Sequence, residues 1–413
     1  MTAPVRRRVC VVGSGTHFLS GISYYTYHLT RALSEESDIS VILMRRLIPR
    51  RLYPGRARVG LPITDLNTSD WAPTYDGIDW FVIPSLMRAS RFMRQHRPEA
   101  VVLQWWTGTA LFSYLRLASI AREIGAKVII EFHEDIDTAE AALPVVGTMV
   151  RKGLARLVRQ SSAFVVHSSW DRDRLSNSLG LDPAKVTVIP HGPYPLAGHP
   201  SVTTTRLKEG ATTRTERTVL FFGTVRPYKG LEDLIEAFEL LPRDETREWK
   251  LLVVGETWER WHLPASKIER SPHAADIEFV NRYVRDDEVP ALFARADVVC
   301  LPYRRSSASG PLHLTMSRGL PVVVTRIGGL TEAAAGYSGA VFTDPGDPRD
   351  LAAAIIEASS LRPNGHRDPH SWERTARAFG DLIEVVSPRT THPDRGVDGL
   401  GTSTSARKIP VST

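Results

Sequence analysis

The stretch from Val219 to Leu241 reads VLFFGTVRPYKGLEDLIEAFELL. Four apolar residues, Val219, Leu220, Phe221 and Phe222, run into Gly223, and from Gly230 onward Leu231, Leu234, Ile235, Phe238 and Leu241 recur at helical spacing. The pattern spells strand, loop, helix. Between the two elements stand Arg226 and Lys229, with a glycine at each end of the loop and Pro227 limiting its freedom. A loop that opens a helix is a seat for anions, because free N–H groups and the positive end of the helix dipole both face it. A solvated basic turn has the same composition, so spacing alone leaves both readings open.

Working outward, the same alternation recurs. Upstream, strand-like runs at Val9 to Val12, Ser40 to Met44, Ala100 to Gln104, Lys127 to Glu131, Ala163 to His167 and Val186 to Ile189 are separated by segments of helical period. Downstream come Leu251 to Val254, Ile277 to Val280, Asp297 to Leu301 and Val322 to Thr325. Such alternation predicts parallel sheets covered on both faces, with ligands beyond the carboxyl ends of the strands. Residues 60–98 are weakly patterned, and residues 193–217 have no hydrophobic period and several prolines and threonines. The expected organisation is a first α/β domain over 1–192, a linker over 193–217, a second α/β domain over 218–370, a last helix over 371–386 and a disordered tail over 387–413.

Composition bounds the function. With 413 residues, 42% hydrophobic and 24% charged, the chain has material for two domains with proper cores. A net charge of +6 favours anionic partners, but arginine is spread along the chain and nothing points to nucleic acid. Cys10 and Cys300 each sit in an apolar run, which predicts buried free thiols and a reducing compartment. The apolar run near the amino terminus is too short for a signal peptide, and no stretch approaches ~18 apolar residues. The expectation is a cytoplasmic protein with peripheral membrane contact at most. For that contact the one concentrated segment is Arg45, Arg46, Arg50, Arg51, Arg56 and Arg58, which reads equally as a disordered basic loop.

Several local features bear on chemistry. The loop GSGTHFLSG over Gly13 to Gly21 follows the first strand, but Phe18 stands where a dinucleotide site wants a small residue. The second strand ends in Arg45 and Arg46 rather than in an acid that would hold ribose. A nicotinamide or flavin cofactor is therefore disfavoured, and the loop reads as a close backbone approach to a ligand. His133 follows a strand, where a lone histidine is more often a structural hydrogen bonder. Asp135 and Asp137 are a carboxylate pair with no further ligands, which reads better as a solvated helix start than as a metal site. Tyr24, Trp71, Trp105 and Trp106 could stack on the face of a ligand ring, although tryptophan is more often core.

Six motifs then fall in order: VIPHG over Val188 to Gly192, FGTVRPYKG over Phe222 to Gly230, FVNRYV over Phe279 to Val284, ADVVCLPY over Ala296 to Tyr303, SGPLHL through GLPVV over Ser309 to Val323, and GGLTE over Gly328 to Glu332. In this series the chain resembles the retaining glycosyltransferases of family 4, nucleotide-sugar enzymes of GT-B fold, over about residues 9 to 386. The resemblance implies two Rossmann-like domains facing across a cleft, with the last helix returning to the first. It implies that Arg226 and Lys229 grip the donor diphosphate, although Thr224 stands where the commoner pattern has arginine. It places His133 beside the donor sugar and Gly21 and Gly223 near the donor. Tyr283 and Val284 would read the base edge, and Ser309, Gly310, Pro311 and Leu312 would meet sugar hydroxyls and phosphate. Neither a cofactor nor a metal is implied.

The chain also departs from that pattern. Where the family often has two glutamates, alignment on Gly319-Leu320-Pro321 places Ser306 and Leu314, and between Tyr303 and Thr331 there is no acid at all. The expected reaction is retaining hexosyl transfer from a UDP- or GDP-linked sugar to a glycan or a lipid-linked sugar. A catalytically silent relative that partners another glycosyltransferase, and a nucleotide-sugar epimerase of the same build, are the alternatives.

Overall fold

The computed structural model describes residues 6–16, 21–46, 66–79, 82–133, 144–194, 216–243, 248–258, 261–306, 308–363 and 365–388. The expected tail beyond 388, most of the expected linker, Asp135 and Asp137, and Arg50, Arg51, Arg56 and Arg58 lie outside these residues.

The first lobe runs β1 (Arg7–Ser14), α1 (Gly21–Leu33), β2 (Ser37–Arg46), β3 (Thr74–Asp79), α2 (Ile83–His96), β4 (Ala100–Trp105), α3 (Leu111–Glu123), β5 (Lys127–Phe132), α4 (Pro144–Arg159), β6 (Ala163–Val166), α5 (Ser169–Leu179) and β7 (Val186–Val188). Its strands form one parallel sheet in the order β3-β2-β1-β4-β5-β6-β7. The second lobe runs β8 (Glu216–Phe222), α6 (Leu231–Glu239), β9 (Glu248–Val254), α7 (Leu263–Arg270), β10 (Ile277–Val280), α8 (Val289–Arg295), β11 (Val298–Leu301), α9 (Gly310–Ser317), β12 (Val322–Thr325), α10 (Gly328–Ala334), β13 (Ala340–Thr343) and α11 (Pro348–Ser360). Its sheet is also parallel, in the order β10-β9-β8-β11-β12-β13. The doubly wound pair expected from the alternation is what the chain forms. β1 and β8, each central to its sheet, are the fully apolar runs from which both halves were read.

Two edge strands and one helix escaped the sequence pattern. β3 reads TYDGID, an edge strand bonded only to β2, and its buried residues are confined to its last two positions. α2 buries Ser85, Leu86, Ala89, Ser90 and Met93, so small hydroxyl residues dilute its apolar period. β13 is likewise an edge strand with alternating burial.

α12 (Trp372–Val386) crosses back to the first lobe. Ser371 caps it by accepting from the N–H of Arg374, and Phe379, Leu382 and Ile383 pack with Tyr25, Leu29 and Leu33 of α1 in one core. Trp372 Nε1 donates to the carbonyl of Pro193 at 2.6 Å, and Arg7 Nη1 donates to the carbonyl of Ser387 at 2.6 Å. The other face of the same sheet is covered by α2, α3 and α4 over Leu86, Leu117 and Leu154. Cys10 and Cys300 are buried free thiols, as their apolar runs predict. No helix among the described residues is long and apolar enough to cross a membrane.

If α12 is part of the first lobe's core, Phe379→Ala should destabilise the protein by about 3–5 kcal/mol. Val385→Ala on the same helix, at a position 77% exposed, should change stability by less than about 0.5 kcal/mol. Urea unfolding of both variants measures the contrast.

Candidate active site

Because both sheets are parallel, every candidate residue on a strand-to-helix loop lies at a carboxyl edge. In the second lobe the organising position is Gly223, directly after β8. Its φ of +113° is a conformation open to glycine, and a Cβ there would stand 3.2 Å from Lys229 Nζ and 3.3 Å from Pro311. Lys229 is 8% exposed; its Nζ donates to Tyr303 Oη at 3.3 Å and lies 4.8 Å above the Tyr303 ring. Tyr303 is buried, which raises its pKa, while a hydrogen bond with Ser309 opposes the rise. Ser309 in turn caps α9, its Oγ accepting from the N–H of Leu312 at 3.3 Å. The structure thus brings together Gly223, Lys229, Ser309, Gly310, Pro311 and Leu312, which are scattered over ninety positions in the sequence.

Arg226 sits at the mouth of the same loop, its guanidinium 5.3 Å from the Tyr228 ring centre and 5.6 Å from that of Trp258. The loop is closed by Gly230, where φ is +62° and a Cβ would fall 2.0 Å from the carbonyl oxygen of Pro302. Arg304, which sequence reasoning missed, braces it from behind. Its backbone N–H donates to the carbonyl of Tyr228 at 2.7 Å, and its guanidinium spans Glu232 and Asp233 at 2.7 to 3.1 Å. Those two carboxylates, in the first turn of α6, would otherwise repel an anion at that helix start. Tyr283 and Val284 stand apart, on the loop after the edge strand β10, with the Val284 side chain in the core.

The two lobes meet through Tyr194. Its Oη donates to the carbonyl of Gly21 at 2.8 Å, at the start of α1, and its ring lies 3.1 Å from where a Cβ on Gly310 would be. Tyr24 approaches the same ring edge-on at 6.1 Å. Beside it, His191 stacks on His313 of α9, ring centres 4.2 Å apart and 14° from parallel. On the far side of the junction Glu332 accepts from the N–H groups of Ser169 and Trp170, both at 2.8 Å, at the positive end of α5.

Three expectations are corrected here. Trp105 and Trp106 are 2% and 7% exposed and belong to the first lobe's core beside Tyr114, so they offer no face to an acceptor sugar. His133 is 4% exposed, and both its ring nitrogens face protein groups. His167 Nδ1 donates to the carbonyl of Ile189 at 3.0 Å, which leaves its Nε2 to accept from His133 Nδ1 at 3.1 Å. His133 Nε2, 3.6 Å from Glu131 Oε2, makes no hydrogen bond but is fully buried, so in this conformation it is not presented to a donor sugar. Arg45 is committed to an ion pair with the buried Asp79 rather than presented to a membrane.

Glu131 is fully buried. Burial pushes its carboxyl up, but the charge and hydrogen bond of His133, with His167 and the Tyr25 hydroxyl, hold it below the usual carboxylate range. Gln104 Nε2 also donates to it at 3.0 Å, oriented by Thr26. By donor type Glu131, His133 and His167 could hold a metal ion, with ligand atoms within 4.8 Å of one another. Glu131 already accepts from Tyr25 and Gln104 and the two imidazoles bond to each other, leaving His133 Nε2 unpartnered, whereas tetrahedral zinc needs donors roughly 3.3 Å apart. The set is a hydrogen-bonded network.

Comparison with known proteins decides the family. Residues 216–360 match the model described as Glycosyl transferases group 1, and residues 20–192 match the Glycosyl transferase 4-like domain. The chain belongs to the family 4 glycosyltransferases. Among curated relatives, this glycosyltransferase chain is 31% identical to an O-antigen chain mannosyltransferase B of Escherichia coli over 39% of either chain. It is 25% identical to a D-inositol 3-phosphate glycosyltransferase of Segniliparus rotundus, over 54% of this chain and 52% of the relative. The chain thus spans about half the length of the curated relatives it matches, or less. In fold it is similar to Anabaena HepE in complex with UDP and glucose, with a TM-score of 0.63, 14% identity, and coverage of 92% of this chain and 97% of the other. The GT-B architecture expected from the motifs is therefore the observed one.

The histidines at the lobe junction generate a pH dependence. Burial lowers His28 and His167 to about 4 and drives His191 and His313 well below the ordinary value. The unfolded chain therefore binds more protons than the folded one below pH ~6.5, and stability falls as pH drops, by about 1.4 kcal/mol per pH unit for each such histidine. Glu131 adds to the same trend lower down, since its folded form takes up a proton only reluctantly as pH falls, while the unfolded carboxyl takes it up readily. Denaturant midpoints should decline steeply from pH 6.5 to about 4.5, and a His191→Gln, His313→Gln double variant should flatten that decline.

Proposed function

We propose that this chain transfers a hexosyl group, with retention, from a UDP- or GDP-linked sugar to a glycan or lipid-linked sugar acceptor in the synthesis of cell-envelope or exopolysaccharide glycan. The supporting observation is the placement of Lys229: a largely buried ammonium beside Gly223, at the carboxyl end of β8 and next to the start of α9. Burying such a charge costs several kcal/mol, and a diphosphate arriving at that point offsets the cost. In the reaction the bond from the anomeric carbon to the β-phosphate oxygen breaks. The acceptor oxygen bonds to the same face of that carbon, and its proton passes to the departing phosphate oxygen. No protein base is needed. The protein's task is to hold positive charge where the leaving oxygen becomes negative, which Lys229, Arg226 and the N–H groups of α9 supply without a metal or cofactor.

A donor-only reading is less economical, since an epimerase needs carboxylates near the sugar and none occurs between Tyr303 and Thr331. A silent partner of another glycosyltransferase is favoured by one observation, the absence of both glutamates: Ser306 Oγ donates to the carbonyl of Ala308, and Leu314 packs between the lobes.

Thermal shift with a panel of UDP- and GDP-sugars separates the two, because a silent partner should respond to none of them. With the responding donor, mass-spectrometric assay should show Lys229→Ala and Arg226→Ala each lowering turnover by about tenfold to a thousandfold with the fold intact. Unchanged rates in both variants would remove these cations from the reaction. Activity should also survive a chelator.

A further inference from the structure

We infer that the outer face formed by α2, α3 and α4 docks on an anionic lipid bilayer. The three helices lie side by side over one face of the first sheet, α2 against α3 and α3 against α4. Each runs back between parallel strands, so their amino-terminal ends all stand at the sheet's carboxyl edge. Four bulky apolar side chains are exposed at that end: Ile83 and Met87 in the first two turns of α2, Phe112 at the start of α3 and Met149 in the second turn of α4, all at 55–69% exposure. Single exposed apolar residues are ordinary; four on adjoining helices at one end form a patch.

The charge around the patch identifies its partner. α2 carries three arginines, α3 two arginines, and α4 three arginines and a lysine, all of them exposed. Among the described residues of the three helices the single acid is Glu123, which Arg94 already engages at 2.7 Å. A cationic face tipped with apolar side chains matches a bilayer of anionic lipid: the cations lie at the phosphates while Ile83, Met87, Phe112 and Met149 enter the boundary with the acyl chains. Nucleic acid fits less well, because isoleucine and methionine have no ring to stack on bases. A second copy of the chain would set like charge against like. The contact is peripheral, since no described helix can cross the membrane. It also differs from the arginine segment after β2. Because the patch shares its edge with the loops that face the cleft, a lipid-linked acceptor could reach the site with its tail still in the bilayer. That last step rests on the transferase reading; the docking does not.

Sedimentation of the full chain with sucrose-loaded vesicles tests this. At ~0.1 M salt the protein should pellet with vesicles containing ~30% phosphatidylglycerol and stay in the supernatant with pure phosphatidylcholine. Two triple variants at exposed positions carry the test, with circular dichroism confirming their fold. Arg88→Glu with Arg116→Glu and Arg151→Glu should weaken binding by about a hundredfold or more. Ile83→Ser with Met87→Ser and Phe112→Ser should weaken it by at least about tenfold. Equal pelleting with neutral vesicles, or wild-type binding by both variants, overturns the proposal. So does tighter binding to a short RNA, or dimerisation through this face in sedimentation velocity. Lys229→Ala should pellet like the wild type, which keeps a failure of the transferase reading distinct from a failure of this one.

Discussion

The burial of one ammonium group sets the terms for the second lobe. Lys229 lies close beneath the loop at Gly223, which has no side chain to crowd its Nζ and adopts a positive φ. In that crowded place it leans on the hydroxyl and ring of Tyr303. Tyr303 then reaches Ser309, and Ser309 fixes the first turn of α9. A single chain of contacts thus aligns a cation with the free N–H groups of a helix start, and two sources of positive potential converge on one point. Arg304 completes the arrangement from outside by occupying the acids of α6. Without it, the helix that follows the loop would begin with two uncompensated negative charges.

The junction between lobes has a different chemistry. His313, His191, His167 and His133 line up from the second lobe into the first, and Tyr25 packs against the last three. Two imidazoles stacked at 4.2 Å cannot both be charged in a buried setting. The column is accordingly neutral where it crosses the junction, and its only fully buried anion, Glu131, lies at the inner end beside His133. His313 has neither ring nitrogen hydrogen-bonded, a loss of about 1–3 kcal/mol that the stacked ring and the apolar packing of Leu314 help to offset. The junction is thus held by shape more than by polar contacts, apart from Tyr194 on one side and Glu332 on the other.

The architecture was legible because its central strands are buried on both faces and so read as unbroken apolar runs. Edge strands lacked that signal: β3 and β13 each have a neighbour on one side only. The second-lobe site was legible from glycines and cations at fixed offsets around β8 and β11. The junction was not, because its histidines lie far apart in sequence and each looks like a solitary structural residue. Only Pro190-His191-Gly192 carried a hint, and Tyr194 follows it by two positions. The misjudged residues share one cause. Trp105, Trp106 and His133 all end strands at the correct edge of the sheet, but position along a strand does not say whether a side chain turns toward the cleft or into the core.

Leu314 shows how the departures from the family pattern and the shape of the junction are connected. It packs against the cores of both lobes at once, where a carboxylate would have to be desolvated on closure at a cost of several kcal/mol unless a ligand hydroxyl met it. An apolar residue there makes closure cheap in the absence of ligand. It also removes a side chain that could discriminate among ligands by hydrogen bonds. Selectivity must then come from backbone groups on rigid elements, namely the α9 turn, the Gly223 loop and the segment after β10.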